Sequence, residues 1–208
     1  MFSIFKQGCT LLTCAVFASI FSTMAFANSN VIKLYDIEAH FPPPSWTTSN
    51  DQLAKSEVKR KQKTDSLAIE FIPKGQSFDS WTAMSAIYTI DLPERDIDWF
   101  LRRTVEIYNK GCSSENVTVD TVQDNITQKL IVIYCQKFKD DIPEYEIESG
   151  VGEIAVIHLE NAGNTFVKNY HAWRGQNFDR NAPETWPTTN ANIEKSITAL
   201  KEAKLVPH

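Results

Sequence analysis

The stretch from Val151 to Gly175 constrains the fold of this chain more than any other. Two β-rich runs, VGEIAVIHLEN and NTFVKNYHAWRG, meet at Ala162-Gly163. So short a connection makes an antiparallel hairpin. A second hairpin precedes it, built from NVTVDTV and TQKLIVIYCQKF and joined by QDN. Its later run is apolar on both faces, which predicts a central strand. Further upstream, LAIEFI alternates and predicts a strand at 67–72, and PKGQ turns the chain through Pro73 and Gly75. SWTAMSAIYTID predicts a strand at about 80–90. One face would carry Trp81, Ala83, Ser85 and Ile87, the other Thr82, Met84, Ala86 and Tyr88. Neither face is strongly polar, so this strand is expected between two layers.

Two helices complete the framework. PERDIDWFLRRTVEIYNKG is expected to start at Pro93, with Glu94 and Asp96 in the electropositive first turn. Ile97, Leu101, Thr104 and Tyr108 form its apolar stripe, widened by Phe100 and Val105, and Lys110-Gly111 stops it. A last helix is expected at about 189–204, capped by Thr188, Thr189 or Asn190, with Ile193, Ile197 and Leu200 inward. The lead-in, VIKLYDIEAH, reads as a strand or an edge segment. FPPPSW, with three prolines and no N–H to donate, is neither helix nor central strand. Phe41 and Trp46 are expected to pin it to the body; a polyproline ligand for a partner domain is the alternative. The fold class is therefore α+β: an antiparallel sheet of about six or seven strands packed against two helices in two layers.

The first 27 residues read as an export signal. Lys6 precedes an apolar run from Leu11 to Phe21, and STMAFA ends in the small-x-small pattern of Ala25, Phe26 and Ala27. The run is too short and too rich in Ser and Thr for a membrane anchor. LLTC resembles a lipoprotein box at Cys14, but Thr13 stands where Gly or Ala is usual. Cleavage near Ala27 leaves a single α+β domain over 28–208, periplasmic or secreted, with no transmembrane segment in the mature chain. It also removes one lysine and no acid, taking the net charge from −5 to −6, which argues against a nucleic-acid partner. Two cysteines remain, Cys112 and Cys135. In an oxidising compartment the pair reads as one disulfide, stabilising by about 3 kcal/mol through loop closure.

Strong catalytic motifs are absent: there is no H-E-x-x-H, no G-x-S-x-G and no phosphate-binding glycine loop. His40, His158, His171 and His208 do not pair at metal-ligand spacing, so neither a metal nor a cofactor is expected. Asn116-Val-Thr and Asn125-Ile-Thr match glycosylation acceptors. Two features suggest a binding surface. LAKSEVKRKQKTDS concentrates Lys55, Lys59, Arg60, Lys61 and Lys63 in an otherwise acidic chain. It reads as a solvated strand or loop, or as a patch for an anionic partner. The acidic loop KDDIPEYEIESG reads as a solubility element or as a partner for this island in the same molecule.

At the strand end, alternation places His171 and Trp173 on one face and Arg174 on the other. Either Trp173 fills the core while His171 hydrogen-bonds nearby, or the pair floors a groove with Arg174 meeting an anion. Lys59, Arg60, Lys61, His171, Trp173 and Arg174 are thus the candidate binding residues for an unknown protein or an anionic ligand. The expected function is a non-catalytic exported binding protein or effector. The alternatives are a hydrolase using His171 and a structural subunit of an envelope or secretion complex.

The segment IEFIPKGQSFDSWTAMSAIY, the first helix, the Cys112/Cys135 pair and NYHAWRG together resemble a group of small uncharacterised exported proteins of Gram-negative bacteria. Some of these look like substrates of type II secretion. The resemblance spans about residues 66–175 and implies no catalytic residues. The order of elements is also similar to the PsbP/Mog1-like α+β fold, which implies a non-enzymatic binding scaffold.

Overall fold

The structure, a computed structural model, describes residues 30–34, 37–48, 51–113, 117–139 and 150–207. The export segment and the acidic loop lie outside the described residues. The described residues form ten strands: β1 (Asn30–Leu34), β2 (Ile37–Phe41), β3 (Ser56–Gln62), β4 (Ser66–Pro73), β5 (Ala83–Asp91), β6 (Val117–Asp124), β7 (Gln128–Cys135), β8 (Val151–Ala162), β9 (Thr165–Gln176) and β10 (Lys204–Pro207). Helix α1 (Ile97–Gly111) follows β5, and α2 (Asn190–Lys201) precedes β10.

Seven strands form one antiparallel sheet in the order β3-β4-β5-β9-β8-β7-β6. The 151–175 hairpin supplies its centre: β8 and β9 pair from Val151↔Gln176 to Ala162↔Thr165, and Gly163, at φ +60°, makes the turn that β-carbons disfavour. β7 is interior but penultimate, and all but its first residue are buried. It is apolar on both faces because both are covered, not because it is central.

The sheet is a middle layer rather than one half of a two-layer arrangement, because the helices lie on opposite faces. Ile97 and Tyr108 of α1 pack with Ile131, Ile133, Ala155, Ile157 and Ala172. Ile193, Ile197 and Leu200 of α2 pack with the alternating set, Leu130, Val132, Ile154, Val156 and Trp173. Each fully buried Ile or Leu contributes about 1.5–3 kcal/mol.

A second, three-stranded sheet in the order β1-β2-β10 was not expected from the sequence. It covers the rest of the α2 face, where Ile37, Ala39 and Phe41 meet Leu67, Ile69, Phe71, Ile87 and Val167. The last helix consequently ends at Lys201, and the chain goes extended to pair β10 with β2. Phe41 is buried and Trp46 packs against this cluster, its indole donating to Ser56 Oγ at 3.2 Å, so both aromatics pin the prolines as expected.

Two other boundaries differ. Helix α1 starts at Ile97, not Pro93: Asp96 is the N-cap, its carboxylate accepting from Trp99 N–H at 2.6 Å, and Glu94 at φ +65° breaks the helical path before it. β5 starts at Ala83, so alternation does not extend back to Trp81. That indole joins the α1 cluster while Ala83 packs with the α2 cluster. The disulfide is present: Cys112 caps α1, Cys135 ends β7, and the Cα atoms stand 5.8 Å apart. It clamps the helix end to the sheet.

Candidate functional site

Antiparallel partners stand on the same face of a sheet. The register therefore draws one row, Lys61↔Ala68↔Tyr88↔Lys168, across β3, β4, β5 and β9 on the α1 face. The next row is Lys59↔Glu70↔Ala86↔Tyr170. Because α1 packs on β7 and β8, the surface along its outer flank is indented into two adjoining clefts that share Tyr88 and Lys168.

The first, of about 180 Å³, runs between α1 and β9 past Tyr108, Glu153, Tyr170 and Arg174. The second, of about 310 Å³, lies at the sheet edge. Lys61, Lys63, Ser66 and Lys168 supply its polar groups; Leu67, Ala68, Ile90 and Phe100 supply its apolar ones.

The floor of the first cleft is a closed network. Glu153 is 2 % exposed. Its Oε1 accepts from the hydroxyls of Tyr108 and Tyr170, each at 2.7 Å, and its Oε2 accepts from Arg174 Nε at 2.7 Å. Burial and the Glu153 carboxylate push both phenols well above their ordinary value. The Arg174 guanidinium also lies over the Trp81 ring, 3.9 Å from its centroid. Arg174 is thus neutralised and stacked.

Lys168 is different. It is half-buried between aromatic rings, with Nζ 4.3 Å from the Tyr88 centroid and 6.0 Å from that of Tyr170. Among the described residues no carboxylate ion-pairs with it. Burial lowers its pKa to about 8, against the pull of Glu153 and Glu70, so it remains mostly charged at neutral pH. Lys61 and Lys63 also have no ion pair among the described residues. Lys55, by contrast, is held by Asp51 at 2.6 Å.

The six candidate residues are not brought together. Lys59, Lys61 and Arg174 lie on the α1 face, but only Lys61 lines the cleft that holds Lys168; Lys59 rests over Phe78 at 5.3 Å. Arg60 pairs with Ile69 on the opposite face and donates to Gln62 Oε1 at 3.1 Å. His171 and Trp173 also lie on that opposite face, under α2, at 4 % and 7 % exposure. Trp173 fills the sheet–helix core, and His171 Nδ1 meets Ser196 Oγ of α2 at 3.1 Å.

Ser196 is the serine that sequence reasoning did not place near His171. It is 1 % exposed, and burial lowers the pKa of the imidazole to about 4. Among the described residues no carboxylate hydrogen-bonds to this pair in the manner of a triad. His158, diagonal to His171 on the same face, is likewise pushed down to about 4 by burial. Its register partner on β9 is the buried Asn169.

Sequence reasoning missed Lys168, Tyr88 and Glu153. The available signal was a lysine in the middle of a largely apolar strand, on the face already assigned to Arg174. Among the described residues no cluster of His, Cys, Asp or Glu is arranged to hold a metal, and no helix is long and apolar enough to cross a membrane.

No protein-family model matches the chain, and no curated protein matches it. Solved structures do. The Saccharomyces cerevisiae Ran-binding protein Mog1p, at 1.9 Å resolution, is similar at 9 % identity with a TM-score of 0.48, covering 87 % of this chain and 96 % of that one. A point mutant of protein Mog1 is similar at 9 % identity with a TM-score of 0.46, covering 86 % of this chain and 96 % of its own.

Proposed function

We propose that this protein is a non-catalytic binding protein that receives an anionic ligand, or an anionic group of a partner, in the lysine-rimmed cleft beside α1. One observation carries the reading: Lys61, Lys63 and Lys168 line a single cleft, and none is ion-paired among the described residues. An anion entering the cleft would meet cationic side chains from the edge strand, the turn after it and β9. The surrounding chain is net acidic, so the cleft is a local positive focus that steers anions to itself. The closed Glu153 network gives the adjoining wall a fixed shape, which lowers the ordering cost of binding.

Inorganic phosphate is the probe for the test. NMR titration should shift the Lys61, Lys63 and Lys168 side-chain signals together, with affinity falling as salt rises past about 0.15 M, where the Debye length is about 8 Å. The Lys61→Gln/Lys63→Gln/Lys168→Gln variant should lose the response. An unchanged titration in that variant refutes the site.

Export belongs to the same proposal and is supported by the Lys6, Leu11–Phe21 and Ala25–Ala27 pattern. Intact mass of the protein from periplasm or medium should correspond to a start at Asn28. A chain retaining residues 1–27 contradicts it.

A further inference from the structure

Building on the anion reading above, we infer that the ligand is an anionic amphiphile: a phosphate or carboxylate head on an apolar body, bound as a single molecule. The arrangement of the 310 Å³ cleft carries this. Its cations and its apolar wall come from different directions. Lys61 and Lys63 stand at the edge strand and the turn after it, and Lys168 rises from β9. Ala68 of β4 and Tyr88 of β5 lie in the row between Lys61 and Lys168, and Ile90 of β5 and Phe100 of the first turn of α1 complete the apolar lining.

Phe100 is fixed rather than free, edge-to-face with Phe166 at 5.3 Å between centroids. A bare anion held by the three lysines leaves this wall facing water. A head group carrying an apolar chain or ring covers it, and the lysine stems extend the apolar lining toward the rim while their ammonium groups stay at the head. The volume sits at the small end of the roughly 300–1,000 Å³ usual for ligand sites, which suits a short chain or single ring. The recess selects a monomeric amphiphile over a membrane surface.

The experiment compares three probes by calorimetry on the full chain: inorganic phosphate, n-octyl phosphate below its micelle concentration, and n-octyl glucoside, which shares the tail without the charge. Each seated methylene strengthens binding about fourfold, so three or four place octyl phosphate on the order of 100-fold above phosphate. Octyl glucoside should bind far more weakly than octyl phosphate. Ala68→Trp, at a half-buried strand position that accepts an aromatic, should return octyl phosphate to the level of phosphate. NOEs from the octyl chain to Ile90 and Phe100 check the seat in the unaltered protein.

Equal affinity for phosphate and octyl phosphate overturns the amphiphile and leaves the anion site standing. Equal affinity for octyl phosphate and octyl glucoside, or binding of neither phosphate compound, overturns both. NOEs to other residues, or association with anionic vesicles without binding of monomeric octyl phosphate, overturns the seated tail.

Discussion

Removing Arg174 from the Glu153 network should cost far more than removing the charge it neutralises. Glu153 is almost fully buried and holds three donors at 2.7 Å. Arg174→Met keeps most of the apolar stem but leaves the buried Glu153 carboxylate without its ion-pair partner. Breaking a buried pair from one side costs about 3–5 kcal/mol. The two tyrosine hydroxyls remain, and the Arg174 side chain is 20 % exposed, so the lower end applies. Loss of the stacking on Trp81 adds about 0.5–1 kcal/mol, for a total near 3–4 kcal/mol.

Glu153→Gln keeps the shape and one acceptor for the phenols, and the orphaned guanidinium can still reach water. It should cost only about 1–2 kcal/mol. In the double variant the penalty of the buried unpaired charge disappears, so the two losses should fall short of additive by about 2 kcal/mol. Urea denaturation with the disulfide intact measures all three, with near-UV circular dichroism verifying native packing. A loss below about 1 kcal/mol for Arg174→Met, or strict additivity, refutes the reasoning, since either means that Glu153 is not a buried charge dependent on this partner.

Three other outcomes are expected. Gly152→Ala should destabilise by roughly 1–3 kcal/mol, because a β-carbon there would lie 2.6 Å from Gln136 O and 2.8 Å from the Phe178 ring; an unchanged urea midpoint contradicts that packing. Acidification should weaken the fold through His158 and His171, whose folded pKa values of about 4 lie below the ordinary 6.5. The unfolded chain binds protons first, so stability is whole above pH 6.5 and falls down to pH 4, by up to about 3 kcal/mol per histidine; a flat midpoint between pH 7 and 5 opposes this. Cys112→Ala/Cys135→Ala should lose about 3 kcal/mol, and non-reducing peptide mapping should join the two cysteine peptides; separate peptides argue against the bridge.

Elements with a strong local signal matched the structure closely. Thr189 accepts from Asn192 N–H as the cap of α2, and the Ile193, Ile197 and Leu200 stripe is buried as its periodicity requires. The β8–β9 hairpin is where its turn and its two β-rich runs put it. β10 was not legible, because KLVP has no pattern of its own: it is a strand only where β2 supplies the partner hydrogen bonds. The start of α1 was misplaced because proline and acidic residues suit both the turn before a helix and its first turn, and the choice falls to whichever side chain closes a free N–H.

The candidate site divides in the same way. Alternation along 164–175 placed His171 and Trp173 opposite Arg174, and the local charge count marked the 55–63 island; these follow from period and composition alone. Which residues meet was decided by register between strands distant in sequence. Register puts Lys61 in one row with Lys168, turns Arg60 to the other face, and brings Glu153 under Arg174. A strand's period fixes only which two faces its side chains share. Packing of the helices then decides which face is core and which is cleft. His171 and Trp173 are sealed because α2 lies over them, and Lys168 lines a cleft because α1 packs on β8 and β7, the next two strands of the sheet.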